Sequence, residues 1–316
     1  MQPTKRQRSE SGGGPPADPI RSDVWFDDGN LIVQAHNTQF RVFKGPLCHS
    51  SKVLKDAVDN MGDSKGVDEC PVLFLSDSAT DLGHVLRTVF YRWAYPDGEP
   101  LPIGVIIAFL RLGRKYKMKH LYDNGFSRLS AALPATVDDY LFGDMKSKIL
   151  FRHPEYSQRR AEVVVDGIVI ARELNLLCLL PAAFWFASMY PEPLADSASL
   201  LPEADRRTIQ LAVKPLRLAY ADYLFGWLDE AIVPSPDCVQ PKACCDSKIQ
   251  RSLIIWRPPG LSLNLGWNPS TATGLCKHCI ALGQKHQSEG RKKLWNKLPS
   301  FFNLPSWDEL LAPPPN

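Results

Sequence analysis

The chain has 316 residues, 44% of them hydrophobic, which is enough apolar material for two compact domains of ordinary size. Its 37 Lys and Arg nearly balance 34 Asp and Glu, so no broad basic field draws it to nucleic acid or to an anionic membrane. The longest apolar stretch, Leu174 to Tyr190, contains Asn175 and Pro181 and falls short of the roughly 20 residues of a spanning helix, so it reads as buried helix.

Residues 1–21 carry Gly, Pro, Ser and charge with almost no apolar side chains. Ordering them would cost backbone entropy with little buried in return, and a disordered leader is expected. Within it, Lys5-Arg6-Gln7-Arg8 reads either as a minimal nuclear-import patch or as a solvated basic start. Met1 to Ser11 lacks the apolar core of a secretory signal, which points to the cytosol or nucleus and away from secretion. Eight cysteines in a reducing compartment are free thiols or metal ligands before they are disulfides.

From Asp23 the texture becomes that of strands. Val24-Trp25-Phe26, Leu31 to Ala35 and Phe40 to Phe43 are separated by turns at Asp27 to Asn30 and at His36-Asn37, a pattern that predicts a pair of hairpins. Gly45-Pro46 closes the last strand. Ser50 or Ser51 then caps a helix with Val53, Leu54, Ala57 and Val58 on one face. Val72 to Leu75 reads as a short buried strand, followed by a helix from Ser76 to Thr80 onward that repeats Leu82, Val85, Leu86, Val89 and Phe90 at helical spacing. Two more helices carry Ile103, Ile106, Ile107 and Leu110, then Met118, Leu121, Tyr122 and Leu129, and Pro134 marks a domain end. The order predicts an α+β domain over 22–133 with helices gathered on a small sheet.

The residues Asp23-Val24, Phe26 to Asn30, Gln34-Ala35, Phe40 to Lys44, Leu47 and Ser51 resemble the BTB/POZ domain, specifically that of BTB proteins of mushroom-forming fungi. Val72 to Asp77, Phe90-Tyr91 and Arg111 to Tyr116 extend the likeness over about residues 22–133. Two positions depart from the family pattern: Phe43 stands where a His is usual, and Leu54 where an aromatic is usual. Both are apolar, so the fold is expected to survive while the surface groove changes. The resemblance implies dimerisation, heteromeric pairing, or an adaptor role that in some relatives recruits a cullin-type ubiquitin-ligase scaffold. Spare apolar helix faces that a symmetric partner can cover fit such a role. The triplet Val67-Asp68-Glu69 matches the apolar-x-Glu pattern of cullin adaptors, but its first reading is a solvated loop.

Residues 134–316 read as a mostly α-helical region, with helices over about 158–180 ending at Pro181, 204–232 with a kink near Pro215, and 281–298. Leu211, Leu218, Phe225 and Leu228 lie at helical spacing and are expected in the core. Pro258-Pro259-Gly260 and Trp267-Asn268-Pro269 lie in an irregular loop. Leu298 to Phe302 and Leu304 to Leu310 resemble the ending of the same fungal proteins, and the aromatics there predict a docked capping segment.

In the Cys-containing loop 234–280, Cys238, Cys244 and Cys245 precede Cys276 and Cys279, with His278 and His286 close by. Cys238, Cys244, Cys276 and Cys279 are the preferred ligand set for one tetrahedral zinc, because a Cys-x-x-Cys turn brings two sulfurs to the same side. The first reading of these cysteines is buried free thiols with no cofactor, because Cys is often simply buried and Cys-x5-Cys-Cys is not a tight zinc knuckle; the zinc set comes second and redox pairing third. A zinc held by four thiolates would be structural, and the spacing does not fit a two-histidine DNA-binding finger.

The sequence shows no phosphate loop, dinucleotide glycine fingerprint, zinc-protease helix or Gly-x-Ser-x-Gly elbow. His36, His49, His84, His120 and His153 are scattered over turns and helix faces, and no residue is assigned a catalytic role. The expectation is a non-enzymatic protein-interaction module without direct nucleic-acid or membrane binding. The alternatives are a nuclear transcriptional regulator and, third, an enzyme hidden in the helical half.

Overall fold

A computed structural model describes residues 19–61, 70–91, 93–96, 98–144, 148–150, 156–189, 200–228, 234–255, 267 and 272–312. Lys5 to Arg8, most of the leader, Val67-Asp68-Glu69 and Pro258 to Gly260 lie outside the described residues. The protein is a mixed α+β chain that packs as two compact units. Unit 1 takes residues up to Tyr95 together with Leu112–Met118, and unit 2 takes Pro96–Arg111 and everything from Lys119.

Unit 1 is built on a four-stranded sheet of β1 (Ile20–Trp25), β2 (Leu31–Ala35), β3 (Thr38–Val42) and β4 (Val72–Leu75), in the order β1-β3-β2-β4. Only β2 and β3 form a hairpin, closed by a two-residue turn in which His36 takes the left-handed conformation at φ 49. β1 runs parallel to β3, so the expected pair of hairpins is corrected to one. The Asp27 to Asn30 segment is a tight turn, with Gly29 N–H donating to the Phe26 carbonyl at 2.9 Å, but it does not pair β1 with β2. It carries the chain past the end of β3, where Phe26 N–H donates to the Arg41 carbonyl and Asn30 N–H to that of Val42. β4 returns parallel to β2.

Between β3 and β4 the chain makes α1 (Lys44–Ser50) and α2 (Lys52–Asp59), which pack on one another. Gly45-Pro46 therefore opens a helix instead of ending a strand; proline is tolerated in a first turn because no donor is needed there. Ser51 is the N-cap of α2. Its hydroxyl accepts from Leu54 N–H at 3.1 Å and donates to the Tyr116 carbonyl at 2.6 Å. α3 (Ala79–Phe90) lies against β1 and β2, burying Leu82, Val85 and Leu86, and Arg87 clamps Asp23 of β1 through two bonds of 2.8 and 2.6 Å. Phe43, half-buried, packs its ring 5.1 Å from Phe26, and Leu54 is fully buried in the core. Asp77 accepts from Lys115 at 2.6 Å and from the Tyr116 hydroxyl; burial and the carboxylate push the Tyr116 phenol far above its ordinary range.

In unit 2, β5 (Leu101–Pro102) pairs in parallel with β6 (Ile149–Leu150). α4 (Ile103–Lys115), whose last turn belongs to unit 1, approaches α5 (Lys119–Ala132) through Gly125, where a Cβ would sit 3.0 Å from the Ile106 carbonyl. Then follow α6 (Val137–Phe142), α7 (Tyr156–Glu173), a 3-10 turn at Leu177–Leu179, α8 (Leu180–Met189), α9 (Glu203–Phe225), a second 3-10 turn at Gly226–Leu228, α10 (Pro241–Ile255), α11 (Lys277–Phe301) and α12 (Trp307–Leu311).

Three expectations for this unit are corrected. α7 ends at Glu173, not near Leu180, because Asn175 adopts φ 54 and turns the chain; Pro181 then sits in the first turn of α8 and breaks nothing. α9 runs through Pro215, but Leu211 and Leu218 are 68% and 54% exposed. The buried face is Asp205, Ile209, Ala212, Leu216, Tyr220 and Leu224, with Asp205 held by both Arg172 nitrogens at 2.6 and 3.1 Å. α10 falls in a stretch expected to be an irregular loop.

The apolar stretch from Leu174 is core: Leu179, Leu180, Phe184, Trp185 and Phe186 are buried. No helix among the described residues is long and apolar enough to cross a membrane. The C-terminal segment docks as expected. Trp307 stacks on Trp295 and donates to its carbonyl at 2.8 Å, Phe302 meets Phe184 edge-on, and Ser306 with Glu309 forms a capping box on α12.

Candidate functional site

α9 and α11 pack along their length, and the 3-10 turn at Gly226–Leu228 continues α9 against α11. Trp227, buried in that turn, lies so close to α11 that a Cβ at Gly283 would sit 3.0 Å from its ring. This pair frames a small apolar cluster of Trp227, Leu228, Leu275, Cys244, Cys276 and Cys279, with Cys238 and Trp267 partly buried at its edge.

The four cysteines reach the cluster from three elements. Cys238 stands in the loop before α10, Cys244 in the first turn of α10, Cys276 at the N-cap of α11 and Cys279 in its first turn. Pro241 starts α10 at a position where its missing N–H costs nothing, and this sets Cys244 one turn inside the helix. On α11, the three-residue separation of Cys276 and Cys279 puts both sulfurs on one side of the helix start.

The four sulfurs all lie within 4.8 Å of one another, and Cys238 and Cys276 are 3.7 Å apart. Among the described residues this is the group that could hold a metal ion, and it includes none of Cys245, His278 or His286. Ser235 N–H donates to Cys279 at 3.3 Å and Cys276 N–H to Cys244 at 3.3 Å. Amides of Cys279 and Val239 act on the Cys276 sulfur, and the Gln240 amide on that of Cys238. Those amides pull the Cys276 thiol down to about 6, the Cys279 amide at the helix start contributing most. Burial pushes Cys279 up to about 12 and raises Cys238. Chemically, the group is a compact cage of soft donors, all four of them protein atoms.

No family model, curated protein or solved structure matches the chain.

Unit 1 offers a different feature. β4 is an edge strand, paired only with β2 among the described strands, and it carries Phe74 at 71% exposure; Trp93, beyond α3, is 75% exposed. An edge strand bearing a large exposed aromatic is a place where another chain can pair. Among the described residues, His36, His49, His84 and His120 join no group that could hold a metal ion, and His153 lies outside the described residues. His84 meets the Tyr95 hydroxyl at 2.5 Å, and burial lowers its pKa.

The sequence located the four cysteines but missed what frames them. Trp227 and Gly283 carry no local signal of their contact, since it joins positions far apart in the chain.

Proposed function

We propose that the protein is a non-enzymatic protein-interaction module of BTB/POZ type, in which unit 1 makes the association and the helical unit 2 completes the scaffold. The supporting observation is the topology of unit 1: a hairpin, a helical pair, a strand returning parallel to the hairpin, and an amphipathic helix, ending in an edge strand with Phe74 exposed. The helical pair, the returning strand and the helix after it keep the order read from the sequence, with β1 pairing to β3 in place of a second hairpin, and the exposed Phe74 offers a surface for association. The partner it fits first is a second copy of the chain, because a two-fold axis lays one edge against its own equivalent. Recruitment of a cullin-type scaffold is the adaptor form of the same role.

Light scattering on the full-length chain tests the proposal. A peak at twice the 35.4 kDa of one chain is expected, and Phe74→Glu, at an exposed position, should return it to the mass of one chain. A monomer throughout the micromolar range, unchanged by Phe74→Glu, sinks the self-associating form.

A further inference from the structure

We infer that Cys238, Cys244, Cys276 and Cys279 form a structural site for one zinc ion that fastens α10 to the helical unit, independently of the association proposed for unit 1. The first argument is size. Four zinc–sulfur bonds of about 2.3 Å define a tetrahedron with edges of about 3.8 Å. The Cys238–Cys276 separation of 3.7 Å equals such an edge, and no pair exceeds 4.8 Å. An iron–sulfur cluster inserts several atoms between its thiolates and needs a wider cage than this.

The second argument is the surroundings. Each sulfur faces at least one backbone N–H: Gln240 for Cys238, Cys276 for Cys244, Val239 and Cys279 for Cys276, and Ser235 for Cys279. Donors aimed at sulfur stabilise the thiolates that a metal requires. Trp227, Leu228 and Leu275 pack around the buried Cys244, Cys276 and Cys279 with Cys238 partly buried at the edge, and Lys248, one turn beyond Cys244 on α10, is buried. Binding exchanges protons for metal, with four thiols and Zn2+ giving a tetrathiolate complex and four H+, so no oxidant or reductant is involved. Four protein ligands leave no position for water, which makes the ion a staple and not a catalyst.

The third argument is where α10 is held. Among the described residues it meets the short turn at Gly226–Leu228, and Cys244 in its first turn is fully buried in the cluster that Trp227 and Leu228 of that turn share with Cys276 and Cys279 of α11. An ion bound there ties the start of α10 to the start of α11.

Full-length protein purified without chelator, analysed by elemental mass spectrometry, should carry about one zinc per chain. Cys279→Ser and Cys244→Ser should lose it, and Cys245→Ser, next in sequence but outside the group, should keep it. Should the Ser variants fail to fold, cobalt exchanged into the wild type still decides: the charge-transfer and strong visible bands of a tetrahedral four-thiolate ion are expected. Chelation should remove helicity equivalent to the 15 residues of α10. Protein that takes up neither zinc nor cobalt, iron in place of zinc, or zinc lost as readily from Cys245→Ser as from Cys279→Ser each overturn the assignment.

Discussion

Replacing Gly290 by Ala tests the packing that holds the helical unit together. An ideal Cβ there would sit 1.8 Å from the Tyr223 carbonyl oxygen and 2.7 Å from its carbon. A carbon and a carbonyl oxygen rest at about 3.3 Å, so α9 and α11 must part by about 1.5 Å at this point. The cost spreads, because Leu216, Tyr220 and Leu224 on α9 and Leu294 and Trp295 on α11 are buried. A gap of 0.5 to 1 Å already forfeits roughly a quarter to a half of each dispersion contact. Overpacking of this kind costs about 1–3 kcal/mol and sometimes more. The gain in helix propensity returns at most about 1 kcal/mol. A net loss of about 2 kcal/mol, read as a fall of roughly 4–8 °C in Tm, is expected by calorimetry. Gly104→Ala is the control: nothing lies within 4 Å of its Cβ, so it should be neutral or slightly stabilising. A Gly290→Ala protein as stable as the parent would refute the close approach of the two helices.

Ser51→Ala removes both the cap on Leu54 and the bond to the Tyr116 carbonyl from a buried site, and a loss of about 1–3 kcal/mol is expected in urea unfolding. Asp23 is held below its ordinary pKa of 3.8, first by its hydrogen bonds from Arg87. A depressed carboxyl contributes stability above its unfolded pKa and loses it as pH falls through the folded value, so Arg87→Leu should flatten the acid limb of stability below about pH 4. Because Asp23 is well exposed, the change should stay under about 1 kcal/mol, and an unchanged limb would remove the pair's role. Leu218→Lys, on the exposed face of α9, should leave Tm within about 1–2 °C of the parent.

Local patterns were legible in the sequence wherever one element decides them. β2, the Ser51 cap and the apolar face of α3 follow from residue composition, capping and helical spacing, whereas β4, expected as a buried strand from its apolar run, is an edge strand that buries Leu73 and leaves Phe74 71% exposed. Partners across the chain were not. β1 carries the composition of a hairpin strand, and only the Arg87 clamp and pairing with β3 show that it crosses to the far side of the sheet. Leu211 and Leu218 lie two residues, about 200°, around the helix from Ile209 and Leu216, so the same seven-residue repeat runs along both faces and does not say which is buried; the buried face is that of Ile209, Ala212, Leu216, Tyr220 and Leu224. The spacing of Cys276 and Cys279 announced a pair of ligands. Their convergence with Cys238 and Cys244 depends on α10, whose Lys-Ala-Cys-Cys-Asp-Ser-Lys start has no apolar stripe to announce a helix.

The most direct measurement of the central claim is X-ray absorption at the zinc edge on the full-length protein. Four sulfurs at about 2.3 Å, and no nitrogen or oxygen in the inner shell, are expected from a site closed by Cys238, Cys244, Cys276 and Cys279. A shell containing light atoms, or fewer than four sulfurs, would contradict it.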